Sequence, residues 1–449
     1  MKTFEVCIRD KLMDMCKGQI NFQQHGFLPK KSCITQMVPF IDDLSCTLNN
    51  RSRTDVIYFD FAKAFDSVSH DIILCKLKYQ YNIDGMMLKF IKNYLENRSQ
   101  CVVIGGERSS MKPVVSGVPQ GSILGPLLFV LFINDMHECI TQPTKIALYA
   151  DDTKIWREIK MYSDHIELQN DINNLLNWSV MNKMNFHPDK CKVLAVSNQH
   201  ERDIFPFYDN FIYCLGNTCL DYVQSEKDLG VYISTNLNWT EQCSELISKG
   251  NSMLGLIKRT CHFTNDTKQR RALYLSLVRS KFEHCSVIWK PHNIALENKL
   301  EALQKRAVKW IYSECFATYT RNEYLEKLEK VDLLPMAEKL TYSDLLLFHR
   351  IIHNDICIKL PPYIKLSTAP NNNSGMNTRL FDKLTESFDN LKLVSTAKPN
   401  IIAFEKNFFF RTHLKWNSLP LPIRILEGYE QFRMALKKHM WNVLMERPD

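Results

Sequence analysis

Two apolar stretches, "KIALY" and "TKIWREI", flank the step Ala150-Asp151-Asp152, and this arrangement restricts the fold of the 449-residue chain most tightly. Short segments rich in Ile, Tyr and Trp read as strands, so the spacing predicts a hairpin with the two carboxylates at its bend. Adjacent carboxylates repel each other and are costly to desolvate unless a cation or hydrogen bonds compensate them. A third acid stands in the same way. "TDVIYFDFAKAFDSVSH" begins as a β-branched and aromatic strand over Val56–Phe61 and then turns helical, which places Asp60 where a strand ends. Neighbouring strands of one sheet would bring Asp60, Asp151 and Asp152 together. Three converging carboxylates form a hard-oxygen site that suits two Mg²⁺ ions, or Mn²⁺ in their place. Two such ions activate an attacking hydroxyl and stabilise a leaving oxygen in phosphoryl transfer. A lone Asp pair at a bend has a plainer alternative, since Asp is also a common turn residue.

The rest of the chain supplies the frame. Residues 1–50 read as helical around a loop, "QQHGFLPKKSC". "QCVVIGGERSSMKPVV" reads as a hairpin closed at Gly105 and Gly106. A Gly and Pro loop follows, leading into the apolar helix "PLLFVLFI" with Pro126 in its first turn. "HIELQNDINNLLNWSVMNKMNF" has helical periodicity, and "CKVLAVS" is another strand. A small β segment, "DLGVYI", precedes long helical stretches from Trp239 to Ile358, joined by polar segments such as "CHFTNDTKQ". The polar run "STAPNNNSGMNT" reads as a linker before a small terminal unit that begins at "FFFRTHLKWNSLP".

Composition narrows the class. With 45% hydrophobic and 24% charged residues the chain is expected to be globular and soluble, and its length implies two or three subdomains. Its longest apolar run, Pro126–Ile133, is far shorter than the roughly 20 residues that span a bilayer, and "MKTFEVCIRDK" is interrupted by charge too often for a signal peptide. The 15 cysteines are scattered singly, which fits reduced thiols in an intracellular protein. Net charge is +8, and Thr240–Trp310 alone carries 13 Lys and Arg against 6 Asp and Glu. Within it Lys258, Arg259, Arg270, Arg271, Arg279 and Lys281 alternate with apolar positions, as expected of helices whose polar face tracks a phosphate backbone. His349, His353 and Cys357 recur every four residues, yet they lack a fourth ligand and sit among Leu and Ile, which reads as packing.

"YFDFAKAFD", "SGVPQGSILGPLLFVLFINDM" and "YADD", in this order and at this spacing, resemble the reverse transcriptases of non-LTR (LINE-type) retrotransposons. "QHGFLPKKSC" is similar to the family's fingers segment, and "EKDLGVYISTNLNW" to its primer-gripping segment. The resemblance implies an α+β, right-hand polymerase fold with fingers, a palm built on an antiparallel sheet, a helical thumb and a mostly α-helical C-terminal region. Fingers and palm are assigned to residues 1–215, the primer grip and basic thumb to 216–365, a polar linker to 366–400 and a small unit to 401–449.

The same resemblance implies RNA-directed DNA synthesis: a primer 3′-hydroxyl attacks the α-phosphate of a dNTP on an RNA template. Asp60 and Asp151 would hold both ions, with Asp152 completing the acidic cluster. Phe65, five residues after Asp60, matches the steric gate against a ribose 2′-OH; Phe61, Gln120, Gly121, Lys30 and Lys31 would lie at the nucleotide. A core Phe is the plainer alternative for Phe65, and an ordinary helix-capping loop for Gly117–Gly125. Lys190 in "HPDKCK" is a candidate general acid for the departing pyrophosphate, with Lys192 as its rival. Nuclear residence follows by resemblance. The chain lacks an Arg-Pro-Ile-Ser-like fingers motif and an endonuclease segment, so DNA nicking is not expected of it. A truncated or domesticated remnant that binds nucleic acid without catalysis is the alternative from another class. A group II intron-type maturase is a nearer one, disfavoured by the wording of "GVPQGSILGPLLFVLFINDM".

Overall fold

A strand covered on both faces reads as a continuous buried run, and Arg53–Phe59 (β1) is such a strand: Val56 and Ile57 are fully buried and Phe59 nearly so. In the computed structural model, which describes residues 2–197, 211–366 and 392–446, β1 lies at the centre of a five-stranded sheet. The other strands are Lys145–Tyr149 (β2), Asp152–Ile159 (β3), Lys192–Val196 (β4) and Asp221–Val223 (β5), in the order β5-β4-β1-β3-β2. β1 runs antiparallel to β3 and β4, β2 and β3 form the expected hairpin, and β5 joins β4 in parallel.

The chain divides into two compact units, Met1–Gln36 with Arg51–Leu229, and Met37–Asn50 with Gly230–Asp449. The first holds the sheet. Helix Leu124–Ile133 is apolar around its whole circumference and must therefore be buried; Leu127–Ile133 all are, packed against helices Lys2–Met15 and His70–Tyr79. Tyr162–Met181 lies against β3. The hairpin predicted around Gly105 and Gly106 pairs Val103 with Arg108 and Ile104 with Glu107. The α+β class is as expected.

The second unit is built on helices, among them Thr240–Thr260, Ile294–Ile311, Met336–Ile352, Phe408–Asn417 and Tyr429–Glu446. The division between the two units follows Leu229, and residues 401–449 group with the second unit. Helices Phe408–Asn417 and Tyr429–Glu446 pack on Met336–Ile352, where Phe348, Trp416 and Phe432 share one core. Most of the predicted linker, residues 367–391, lies outside the described residues; at its end Leu393–Ser395 pairs with Ile364–Leu366, and Leu393 is buried. His349 is a core residue, stacked on Phe432 with its Nε2 2.7 Å from the Leu426 carbonyl. No helix among the described residues is long and apolar enough to cross a membrane.

Candidate active site

Register decides which side chains meet. Phe59 stands opposite Thr153, so the next position along the ladder sets Asp60 beside Asp152, both at strand ends. Asp151 occupies the turn, just after Ala150, whose backbone is left-handed at φ +55°. Such a non-glycine conformation persists only where its surroundings hold it, and the loop before helix Cys33–Asn49 does so. The Gln24 Oε1 accepts from the Ala150 N–H at 2.9 Å and from the Gly26 N–H at 2.7 Å. Gly26 is required there, because a Cβ would stand 2.4 Å from the Ala150 nitrogen.

The three carboxylates influence one another electrostatically. Burial, then Asp151 and Asp228, push the Asp152 carboxyl up to about 6, against the opposing pull of Lys154; Asp60 adds to the rise. Asp151 is raised as well, chiefly by burial, with Asp60 contributing. Asp60 Oδ2 is shielded from solvent and receives no hydrogen bond, and Lys190 Nζ stands 3.1 Å away as an ion-pair partner. A cleft of about 270 Å³ runs over this surface, lined by Tyr58, Asp60, Asp152, Lys154, Lys190 and Asp228 among others.

Among the described residues no three His, Cys, Asp or Glu side chains are gathered closely enough to hold one ion between them. Mg²⁺ is commonly held by one or two carboxylates together with substrate phosphates and water. The paired acids, the unsatisfied Asp60 oxygen and the opposed ionisation of Asp152 fit that mode.

The remaining expected site residues fall into three groups. Lys190 is at the carboxylates, whereas its rival Lys192 is paired with Asp221 at 2.9 Å. Phe65 is half-buried, stacked on Phe129 at 4.3 Å and edge-on to Phe27. The loop after it is pressed close: a Cβ on Gly117 (φ +89°) would stand 2.8 Å from the Asp66 Cα, and Gln120 donates to Asp66 Oδ1 at 2.9 Å. Gln120 lines a groove other than the carboxylate cleft, and Gly121 is exposed with open space around its Cα. Lys30 is exposed.

Four of the expected residues are engaged within the chain itself, by packing or by hydrogen bonds. Phe61 is a core residue, stacked on Phe186 at 4.4 Å; side chains alternate along an extended chain, so the residue after Asp60 points away from the cleft. Lys31 donates to the carbonyls of Phe22 and Gln24 at 2.6 and 2.8 Å, and so holds its own loop together. Arg270 is buried and donates to the carbonyls of Thr264 and Trp310 and to Ser313 Oγ. Arg279, also buried, donates to Gln304 Oε1 and the Leu334 carbonyl. Arg271 is half-buried on the Val331 carbonyl, Lys281 is half-buried and Arg259 is exposed.

The exposed cations of this segment lie elsewhere. Lys299, Lys305, Arg306 and Lys309 share one face of helix Ile294–Ile311 and line a groove with Asn251 and Tyr319; Lys258 reaches the Arg306 carbonyl at its edge. Their recurrence at 299, 306 and 309, with Lys305 four residues before Lys309, away from the buried Leu296, Leu300, Leu303 and Ala307, was the available signal. Gln24, Lys154 and Asp228 were also missed, because their partners are distant in sequence.

A mostly antiparallel sheet carries these acids at the end of its central strand and in the turn of the adjoining hairpin, the arrangement the sequence resemblance implied for a polymerase palm. The profile of the reverse transcriptase (RNA-dependent DNA polymerase) family matches residues 1–242, and the chain belongs to that family. Its curated relatives are named as polymerases of mobile elements. It is 29% identical over 208 residues to the RNA-directed DNA polymerase from mobile element jockey of Drosophila melanogaster, covering 44% of this chain and 22% of that protein. It is 24% identical over 376 residues to the probable RNA-directed DNA polymerase from transposon BS of the same organism, covering 78% of this chain and 39% of that one. The chain therefore spans well under half the length of these relatives. Among solved structures, a telomerase from Candida albicans, in complex with a fragment of telomeric RNA, aligns with a TM-score of 0.43 at 11% identity, over 75% of this chain and 50% of that one.

Proposed function

We propose that this chain is the polymerase segment of a LINE-type reverse transcriptase, which extends a DNA primer with dNTPs on an RNA template. The observation that carries the reading is the pairing of Phe59 with Thr153, the residues next to Asp60 and Asp152, with Asp151 and Asp152 both raised by burial and by neighbouring carboxylates. Asp60, Asp151 and Asp152 would hold two Mg²⁺ ions, which when bound neutralise phosphate charge and acidify the attacking hydroxyl. Lys190, whose ammonium stands 3.1 Å from Asp60, would protonate the pyrophosphate as it leaves. Phe65, held edge and face by Phe27 and Phe129, would bar a 2′-hydroxyl by contact. Lys299, Lys305, Arg306 and Lys309 offer a phosphate-binding face for the template–primer duplex. Element RNA copied onto a chromosomal primer would place this work in the nucleus.

The test is primer extension on an RNA template with dNTPs and Mg²⁺. The natural chain should extend the primer, and Asp151→Ala should lose at least about 1,000-fold of the rate, as removal of a charge-stabilising group from the reaction centre does. Equal binding of template–primer by both proteins with extension by neither would refute the reading.

A further inference from the structure

Lys154 lies two residues after Asp152 on β3, in register with Tyr58 of β1, and its ammonium is buried. A buried lysine is expensive unless paired and hydrogen-bonded. Here the ammonium binds Asp228, at the end of strand Ser225–Asp228, and donates to Gln36 Oε1 at 3.1 Å on helix Cys33–Asn49. The Lys154 and Asp228 side chains are only 3% and 6% exposed. One ammonium thus joins three segments: the strand that bears Asp152, the helix after the Gln24–Gly26 loop, and the strand that carries Glu226 and Asp228 into the carboxylate cleft. Just past Asp228, Leu229 is left-handed at φ +45°, a conformation that neighbouring structure must hold in place.

Stability alone does not account for such a pair, since apolar residues of similar volume at both positions would usually hold a core as well or better. Its distinctive property is direction: it fixes one strand against another at a single register. We propose that Lys154 is a positioning residue, which through Asp228 clamps segment 225–229 as the wall of the cleft facing Asp60 and Asp152, and so sets where the reacting end of the primer rests. This inference rests on the polymerase reading above.

The test compares wild type with Lys154→Met/Asp228→Leu, a double variant that leaves no buried charge unpaired. Two readouts are taken: amide hydrogen exchange across 225–229 without nucleic acid, and single-turnover primer extension. The double variant should melt at or above the wild-type temperature. Its 225–229 amides should exchange at least about tenfold faster, those of β1 and β3 should be unchanged, and extension should slow by about tenfold to a hundredfold at unaltered dNTP KM. Unchanged exchange in 225–229 would overturn the clamp, and unchanged extension with faster exchange would overturn its positioning role. A wild-type chain that extends no primer, with faster exchange in the variant, would instead refute the polymerase reading.

Discussion

The strand ends around Asp60 and the helices around Arg279 are both rich in charge, and they use it in opposite ways. At the strand ends like charges are crowded beside an open cleft, and one Asp60 oxygen is left without a hydrogen bond. In the helical unit Arg270 and Arg279 are sunk into the core, where their terminal guanidinium nitrogens donate to backbone carbonyls and to Gln304 and Ser313, and the Arg279 Nε stands 3.4 Å from Glu283. A group whose charge is opposed by its surroundings is available for chemistry, whereas a group already satisfied holds structure. Clustering of charge in the sequence does not by itself separate the two.

The contrast can be broken most severely at Arg279. Arg279→Ala should destabilise the protein by about 1–3 kcal/mol, because the buried Gln304 Oε1 and Leu334 carbonyl each lose a donor and keep only the Tyr274 hydroxyl and the Gln304 amide, respectively. Denaturant unfolding measures this, and a change as small as that of Arg259→Ala would place Arg279 with the surface cations instead. The exposed face should respond the other way. Neutralising Lys305, Arg306 and Lys309 together should leave unfolding nearly unaltered, yet lower the slope of log affinity for template–primer against log salt by about 2 to 3. An unaltered slope would mean that duplex does not track this helix.

A smaller effect sharpens the carboxylate side. Asp152, raised to about 6, favours its neutral form in the folded chain. Its proton therefore adds stability at pH values below the ordinary carboxylate range, and that contribution is lost as pH rises through about 6. Asp152→Asn should accordingly gain in melting temperature relative to wild type as pH rises from 4 to 7. A constant difference across that range would show that Asp152 is not held in an adverse field.

How far each region could be read in advance follows from the geometry of its elements. Strands have a period of two, and their ends are marked by the loss of apolar residues, so the pairing of the strand that ends before Asp60 with the hairpin that carries Asp151 and Asp152 was legible. The same period, applied one residue further, explains why Phe61 faces Phe186 and not the cleft. In the basic segment, Arg270 stands four residues before Tyr274 and eight before Val278, on the buried stripe of its helix; that spacing marked it as inward-facing. Pairings such as Lys154 with Asp228, or Gln24 with Ala150, join positions 74 and 126 residues apart, and no local pattern encodes them. The packing of helices Phe408–Asn417 and Tyr429–Glu446 on Met336–Ile352 is hidden for a similar reason, since a polar run lies between them in sequence.

The central claim is that Asp60 and the Asp151–Asp152 turn jointly hold divalent ions. Fe²⁺ substituted for Mg²⁺, with ascorbate and peroxide, cuts a backbone close to where the ion is bound. The account predicts two cuts in one protein, near residue 60 and near residue 151, both lost in Asp151→Asn; cutting at neither place, or an unaltered pattern in the variant, would contradict it.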